Sequence, residues 1–480
     1  MRHELSLVPV LGVMMLAACA APDAGQAVKP IPVSTLGLGS VSSPNIDATW
    51  WTSLGDPQLD RIMSDALSGS PRLDAALARV RQARSVLAAR SAEDLPQIAL
   101  DANEQRTRLS EKYTIPPPYG GSTRWVGQAE VNLGWNLDFW GRQADAIAQA
   151  RASSRAADFD YAAARLALAG AVAQTYVELA RAERQAAIGK ANVEQRERSL
   201  KLVQTRIRSK LASDLDARAA ETVLAQARQA LVRAEGQRVL LVHALALLAG
   251  QGAHYYATIR PTTIRLDAIL PLPSTLPADL LARRPDISSA QERIAAAAAG
   301  REVARKAFYP DINLQALVGV QAIGLGNLFS DDAVTYGAGP AIHLPIFQGG
   351  KLRAEHAGAT ARLDEAVADY NNAILTAVRE AADALAQIES SRRDLAQQQQ
   401  ALTGLSEVTR LNRVRVAAGL DSRLDIIGAD IRLLQAQQDE ANLQAQAAIH
   451  AIQLLVAIGG GFDPAANVLE TTSVPARTTP

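Results

Sequence analysis

Few of the 480 residues have a type and spacing suited to covalent chemistry. The histidines His3, His243, His254, His343, His356 and His450 stand singly, without metal-site spacing, so neither a metal nor a cofactor is expected. Gly349-Gly350-Lys351 lacks the rest of a phosphate loop, and Gly459 to Gly461 reads as the end of a helix. One cysteine remains, Cys19. It closes an apolar run from Leu5 to Leu16 that Arg2 precedes, and Leu16-Ala17-Ala18-Cys19 has the pattern of a bacterial lipobox, where the signal is cleaved and the thiol diacylated. With no second cysteine there is no disulfide to form. Ala20 follows, where an Asp would signal inner membrane retention, so the outer membrane is the expected destination, held by several acyl chains. The chemistry is anchorage, and no enzymatic activity is expected.

The rest of the chain must therefore be read for architecture. Lys plus Arg is 49 and Asp plus Glu is 49, and this balance offers no electrostatic footprint for nucleic acid. At 4% aromatic residues, an alanine-rich chain suits helices packed on helices better than large globular cores. Past the signal no run of about twenty apolar residues occurs. The longest candidate, Val239 to Leu248, is short and interrupted by His243, so any membrane crossing must use strands.

The body of the chain is written twice. Ser70-Pro71-Arg72-Leu73 aligns with Arg284-Pro285-Asp286-Ile287, and Pro96-Gln97-Ile98-Ala99-Leu100 with Pro310-Asp311-Ile312-Asn313-Leu314, at an offset of about 214. Leu137-Asp138-Phe139 matches Leu344-Pro345-Ile346, and Leu211-Ala212-Ser213-Asp214 matches Leu420-Asp421-Ser422-Arg423, the offset drifting to about 209. So long a period is a duplicated half-protein and not a solenoid. Proline is absent from Gly141 to Arg260 and from Ile346 to Asp463, so each half permits unbroken helix. Leu200, Val203, Ile207 and Leu211, and again Leu424, Ile427, Ile431 and Leu434, fall at coiled-coil spacing. A helix over Gly141 to Ser209 has a length of about 100 Å, enough to reach across the periplasm.

Between the helices the period changes to two. Ala129, Val131, Leu133, Trp135 and Leu137 alternate with Gln128, Glu130, Asn132, Gly134 and Asn136. Ile312 to Val320 and Tyr336 to Leu344 alternate likewise, and Ile98, Leu100 and Ala102 begin a weaker example. One apolar and one polar face over about ten residues suits a lipid-facing barrel with a watery lumen. Periodicity alone also admits two amphipathic hairpins on a soluble bundle. Four strands cannot close a barrel, so several chains must share one, and three give twelve strands. The hairpin loops, Leu109 to Arg124 and Gln321 to Ala333, carry Tyr113, Tyr119 and Phe329.

These residues resemble the TolC-like outer membrane efflux proteins, most closely the lipoprotein branch typified by OprM and NodT. The resemblance rests on Trp50-Trp51 with Asp56-Pro57-Gln58-Leu59, on Leu137-Asp138-Phe139-Trp140-Gly141-Arg142 and on Arg283-Arg284-Pro285-Asp286-Ile287. It rests equally on Ala307-Phe308-Tyr309-Pro310, on Leu344-Pro345-Ile346-Phe347 with Gly349-Gly350, and on Leu454-Leu455-Val456-Ala457 before Gly459-Gly460-Gly461. The fold it implies is mainly α with a membrane β-barrel: a homotrimer whose long helices form an α-barrel and whose strands form one twelve-stranded barrel, with an equatorial collar between. The function it implies is the outer membrane channel of a tripartite efflux pump, exporting drugs or other small molecules. Its partners are a periplasmic adaptor, an inner membrane transporter of the resistance/nodulation/division class and outer membrane lipid.

The resemblance also places adaptor docking at the turns Leu211-Ala212-Ser213 and Gly419-Leu420-Asp421-Ser422, although Lys210 stands where the second copy has Gly419. The family narrows its periplasmic end with a leucine followed four residues later by an aspartate. Leu424 matches, but Gly428 takes the acid's place; the expected periplasmic constriction is Leu424 with Asp425, and Asp430, Asp214 and Asp216 are the other nearby carboxylates. The expected organisation is a signal peptide over 1–18, a lipid-anchored tether over 19–49, a first repeat over 50–260, a second over 261–463 and a tail over 464–480. Strands are expected at about 96–108, 125–138, 310–320 and 334–344. Two other readings stay open on residues alone: a coiled-coil scaffold tying the outer membrane to the wall, and a channel for secreted polypeptides.

Overall fold

The computed structural model describes residues 25–38, 46–112, 114–264, 266 and 280–463. Cys19 with its lipobox, Tyr113 and the tail from 464 onwards lie outside the described residues. After a short helix α1 (Pro57–Gly69), the first copy runs α2 (Pro71–Ala92), β1 (Gln97–Arg108), β2 (Thr123–Asn136), α3 (Arg142–Arg208) and α4 (Asp214–Leu248). The second repeats that order as α5 (Pro285–Lys306), β3 (Asp311–Ile323), β4 (Val334–His343), α6 (Lys351–Ala417) and α7 (Arg423–Ala457). Helices α3 and α6 have 67 residues each, and α4 and α7 have 35 each, so the duplication is kept in element length. With no internal proline, α3 and α6 each extend for about 100 Å. No described helix is long and apolar enough to cross a membrane.

The chain forms two compact units, and both cut across the repeats. The sheet unit takes Arg79–Ala157, Ala290–Tyr370 and the described residues up to Pro30, and the helical unit takes the remainder. In the sheet unit the strands follow the order β1-β2-β3-β4, all antiparallel. Strand β3 runs past the expected end at 320, because Gln321, Ala322 and Ile323 still pair with Gln128, Gly127 and Val126. The two copies are locked together where strand meets helix. The Leu137 amide donates to the Ile312 carbonyl at 2.9 Å, the Trp140 indole N–H donates to the Pro310 carbonyl at 2.9 Å, and Lys306 donates to the Gly141 carbonyl at 3.1 Å. The motifs around Trp140 and Tyr309 are thus two halves of one junction.

The segment read as a tether is not free where it is described. The Ala27 and Val28 amides both donate to Asp364 Oδ1 at 3.0 Å, and the Ile31 amide donates to Asn371 Oδ1 at 2.9 Å. A Pro- and Ala-rich stretch has no helical pattern of its own, so its backbone donors turn to polar side chains of α6.

In the helical unit, Trp50, Trp51, Leu54, Leu59, Ile62 and Met63 are buried against Val172, Tyr176, Leu179, Leu245, Ile452 and Leu455. Asp56 caps α1 by accepting the Gln58 amide at 2.9 Å, and it also accepts the Tyr176 hydroxyl and the Thr263 amide at 2.7 Å. Burial opposes ionisation of Asp56, but these hydrogen bonds outweigh it and hold its carboxyl below the usual range. Burial and the Asp56 bond push the Tyr176 phenol upwards. Arg284 plays a similar part at the second copy: it pairs with Asp286 at 2.7 Å and Glu380 at 2.9 Å, and donates to the Ala457 carbonyl at 3.0 Å. Gly459, at φ 95°, lies so close to the Arg283 carbonyl that a Cβ there would sit 1.9 Å from the oxygen, which is why α7 must end in glycine.

The expected apolar seams are only partly covered within one chain. Val203 is buried and Leu200 and Ile207 half-buried, while Leu211 is exposed. On α7 the residues Leu424, Ile427, Ile431 and Leu434 are all half-buried, and the buried line runs instead through Ala429, Ala436, Ala441, Ala445 and Ala448. Alanine lets helices of one chain approach closely, and the larger side chains remain at the margin.

Candidate functional site

The strand register sorts every alternating residue onto one face of the sheet. Leu100 faces Val131, Val131 faces Val318, and Val318 faces Tyr336; one row away, Ile98, Leu133, Ala316 and Ala338 align the same way. Leu100, Val131, Val318 and Tyr336 are all exposed, an apolar band that no described residue covers. The opposite face carries Asn103, Gln128 and Gln321 in one row and Asp101, Glu130, Gly319 and Thr335 in the next. Asp101 and Glu130 thus stand directly opposite, and Asn132 donates to Asp101 Oδ2 at 2.8 Å. A one-residue slip of any strand would put these acids among the apolar side chains, so the register is set by what each face meets. Strands β1 and β4 each have a single neighbour in the sheet. Open edges in lipid would leave backbone groups unsatisfied at several kcal/mol each.

The two turns expected to dock a partner end the α3–α4 and α6–α7 hairpins, and they have one geometry. Lys210 adopts φ 59° and Gly419 φ 72°, and Lys210 is the one non-glycine residue with positive φ among the described residues. In the first turn the Lys210 amide donates to the Ile207 carbonyl at 2.9 Å and the Leu211 amide to Arg206 at 2.8 Å. In the second, Gly419 donates to Val416 at 3.1 Å and Leu420 to Arg415 at 2.9 Å. Both are Schellman caps. The missing glycine therefore leaves the first turn's conformation unchanged and puts a left-handed lysine in it. Leu211 and Leu420 project from the two tips at 67% and 70% exposure.

Each following helix starts with a capping box. The Ser213 amide donates to Asp216 at 2.8 Å, and the Ser422 amide donates to Asp425 at 3.0 Å while Ser422 Oγ accepts the Leu424 amide at 3.1 Å. The Ser213 backbone bond holds the Asp216 carboxyl below its ordinary range, and the Arg415 guanidinium, at 2.5 Å, does the same for Asp421. Asp425 thus spends its carboxylate on its own helix, and Leu424 lies half-buried in the first turn. The acid these helices bury is Asp430, which pairs with Arg413 of α6 at 2.9 Å and accepts Gln195 of α3 at 3.3 Å. Its sequence signal was a carboxylate inside the stripe Ile426, Ile427, Ala429 and Leu433.

An amphipathic antiparallel sheet with open edges, carried on duplicated helices of this length, defines an outer membrane channel of combined α-barrel and β-barrel architecture. The model of the family described as outer membrane efflux protein matches residues 62–251 and again 276–460. The chain belongs to the outer membrane efflux protein family. It is similar to the pyoverdine export outer membrane protein OpmQ of Pseudomonas aeruginosa, 31% identical over 419 residues that cover 86% of this chain and 87% of that protein. The solvent efflux pump outer membrane protein SrpC of Pseudomonas putida is 32% identical over 419 residues, with the same coverage. Among solved structures, the outer membrane protein VceC of Vibrio cholerae superposes with a TM-score of 0.80 at 31% identity, covering 87% of this chain and 100% of that one. This chain is accordingly an outer membrane component of an efflux pump, from a family of transport proteins.

Proposed function

We propose that three copies of this chain close one twelve-stranded barrel in the outer membrane and conduct small organic molecules from a periplasmic adaptor and an inner membrane transporter to the exterior. The observation that carries the reading is the sheet itself: its apolar residues align across all four strands, and its two edges lack strand partners among the described residues. Four strands are half of the smallest closed membrane barrel, and three chains supply twelve. The half-buried margin Leu424, Ile427, Ile431 and Leu434 gives neighbouring copies an apolar surface to cover. Relatives named for pyoverdine, solvent and multidrug export support a small-molecule cargo.

In this reading the chain catalyses no reaction, and the transporter, of the resistance/nodulation/division class, supplies selection and energy. Cys19 becomes the acylated N-terminus after loss of residues 1–18, and the tips at Leu211-Ala212-Ser213 and Gly419-Leu420-Asp421-Ser422 meet the adaptor. Leu424 lies where three copies would narrow the periplasmic mouth, with Asp425 holding the turn beside it. The test is native mass spectrometry of the detergent-extracted protein together with planar-bilayer recording. Three copies and discrete conductance steps are expected, and a monomer without conductance would refute the reading.

A further inference from the structure

The face of the sheet assigned to lipid is almost without charge. It carries the even-numbered residues of β1, β3 and β4 and the odd-numbered residues of β2. Among these, Glu104, Arg106 and Arg108 are the charged ones, and all stand at one end of β1. A charge on such a surface is destabilising at the middle of a membrane and tolerated at its edges, so their level decides what they meet.

Strand β2 supplies the scale. Trp125 and Trp135 both lie on the apolar face, 43% and 37% exposed. Ten residues separate them, which at about 3.4 Å per residue and a tilt near 40° is about 26 Å along the membrane normal, the height of an apolar band of about 25 Å. Indole rings favour the two edges of the apolar layer, and here one ring stands at each. Trp135 is at the end where α2 enters the sheet and α3 leaves it, so Trp125 marks the edge remote from the helices, the exterior in the channel reading. Arg106 is directly opposite Trp125, and Arg108 stands one step, about 5 Å, further out. Both side chains are exposed. The Arg106 guanidinium has no ion-pair partner among the described residues. Arg108 meets Glu111 at 3.9 Å with side chains 71% and 68% exposed, a contact too long and too wet to hold it. Glu104, opposite Gly127, lies one step inside Arg106.

We propose that Arg106 and Arg108 bind the phosphate groups of a phosphorylated glycolipid in the outer leaflet of the membrane. A guanidinium on a lipid-facing surface at this level has head groups for neighbours, and it holds phosphate in a fork. Two forks about 7 Å apart on one face favour the more highly charged monoester over the singly charged diester of a phospholipid. Trp125 beside Arg106 fixes the depth at which the head group lies. Lys112 follows in the turn and adds a further cation. Asp331 and Asp332, in the β3–β4 turn of the same chain, are three strand spacings away, about 14 Å against a screening length of about 8 Å.

The inference rests on the channel reading of the sheet, and the test separates the two. Full-length protein, freed of lipid in detergent, is titrated with lipid A, a glycolipid bearing phosphate monoesters, with phosphatase-treated lipid A and with phosphatidylglycerol. Native mass spectrometry counts the lipid retained, and planar-bilayer recording reports conductance. Lipid A is expected to bind in preference to both other lipids. The double variant Arg106→Gln with Arg108→Gln should lose affinity for lipid A by about tenfold or more, with assembly and conductance kept. Arg124→Gln, one row away on the opposite face and paired with Thr107, should bind as the wild type does. Equal binding of lipid A and its phosphate-free form would overturn the proposal, as would equal binding of phosphatidylglycerol. Undiminished binding by the double variant, or an equal loss from Arg124→Gln, would overturn it too. A wild-type channel that conducts but takes up no lipid A would refute the surface and leave the channel, the result if Asp331 and Asp332 of a neighbouring copy engage the arginines. Lipid A held by a wild-type protein that does not conduct would support the surface and refute the channel.

Discussion

Val131→Arg tests the assignment of the sheet faces most directly. Val131 lies in the row Leu100, Val131, Val318 and Tyr336, and it is one and a half residues from the midpoint of β2. At about 3.4 Å per residue and a strand tilt near 40°, that places it about 4 Å from the middle of an apolar band about 25 Å tall. Arginine there costs about 2–4 kcal/mol per site, which is about 30-fold to 1,000-fold in the assembly equilibrium for each copy. Three well-separated copies would add to about 6–12 kcal/mol, comparable with the whole stability of an ordinary domain. The control is Gln128→Arg, three residues away on the opposite face beside Asn103 and Gln321. The assay is the fraction of trimer that resists unheated gel electrophoresis after outer membrane extraction. Loss of trimer from Val131→Arg is expected, with assembly kept and conductance altered for Gln128→Arg. Equal losses from the two would mean that register does not divide lipid from lumen.

Other outcomes follow from the tips and the core. Leu211→Glu and Leu420→Glu change the exposed tips without touching either Schellman cap, so drug resistance in cells lacking a redundant channel should fall while trimer yield stays constant; retained resistance would place docking elsewhere. Lys210→Gly removes a left-handed side chain and should stabilise the α3–α4 turn by up to about 1 kcal/mol, seen as slower proteolysis there. Asp56→Asn should cost about 1–3 kcal/mol, because one amide cannot serve the Gln58, Thr263 and Tyr176 donors as a carboxylate does. Since the Asp56 carboxyl is held below its unfolded value, its contribution is complete above the ordinary carboxylate range and lost as pH falls through the lower, folded value. Acid melting of the wild type should therefore be steeper than that of Asp56→Asn. Leu424→Ala leaves the Ser422–Asp425 capping box intact and should raise single-channel conductance; an unchanged value would move the constriction to another level.

Much of the architecture was legible in local pattern. The proline-free runs foretold α3 and α6, and alternation foretold β2, β3 and β4 and more weakly β1, because helix and strand periods are properties of the backbone that apolar residues must follow. The repeat was visible because both copies still build the same turns. What one chain's sequence did not reveal lies in pairings between distant residues. Nothing local says that Asp56 serves Tyr176, that Trp140 and Pro310 form one junction, or that Asp364 takes the Ala27 and Val28 amides.

The constriction shows the same division. Sequence placed Asp425 with Leu424 at the expected constriction; only the fold shows that its carboxylate also accepts the Ser422 amide and that Asp430 is buried between Arg413 and Gln195. Lys210 was read as a departure because glycine is the residue that favours positive φ, yet the hairpin imposes that conformation on lysine. The compact units made from parts of both copies had no signal in the repeat. By itself the sequence determined the type of the long helices and of the strands, since that follows from the order of apolar, polar and helix-breaking residues along the chain, while pairing with β2 decided where β3 ends. The tertiary structure decided which polar group meets which, since that depends on contacts between residues a hundred or more positions apart.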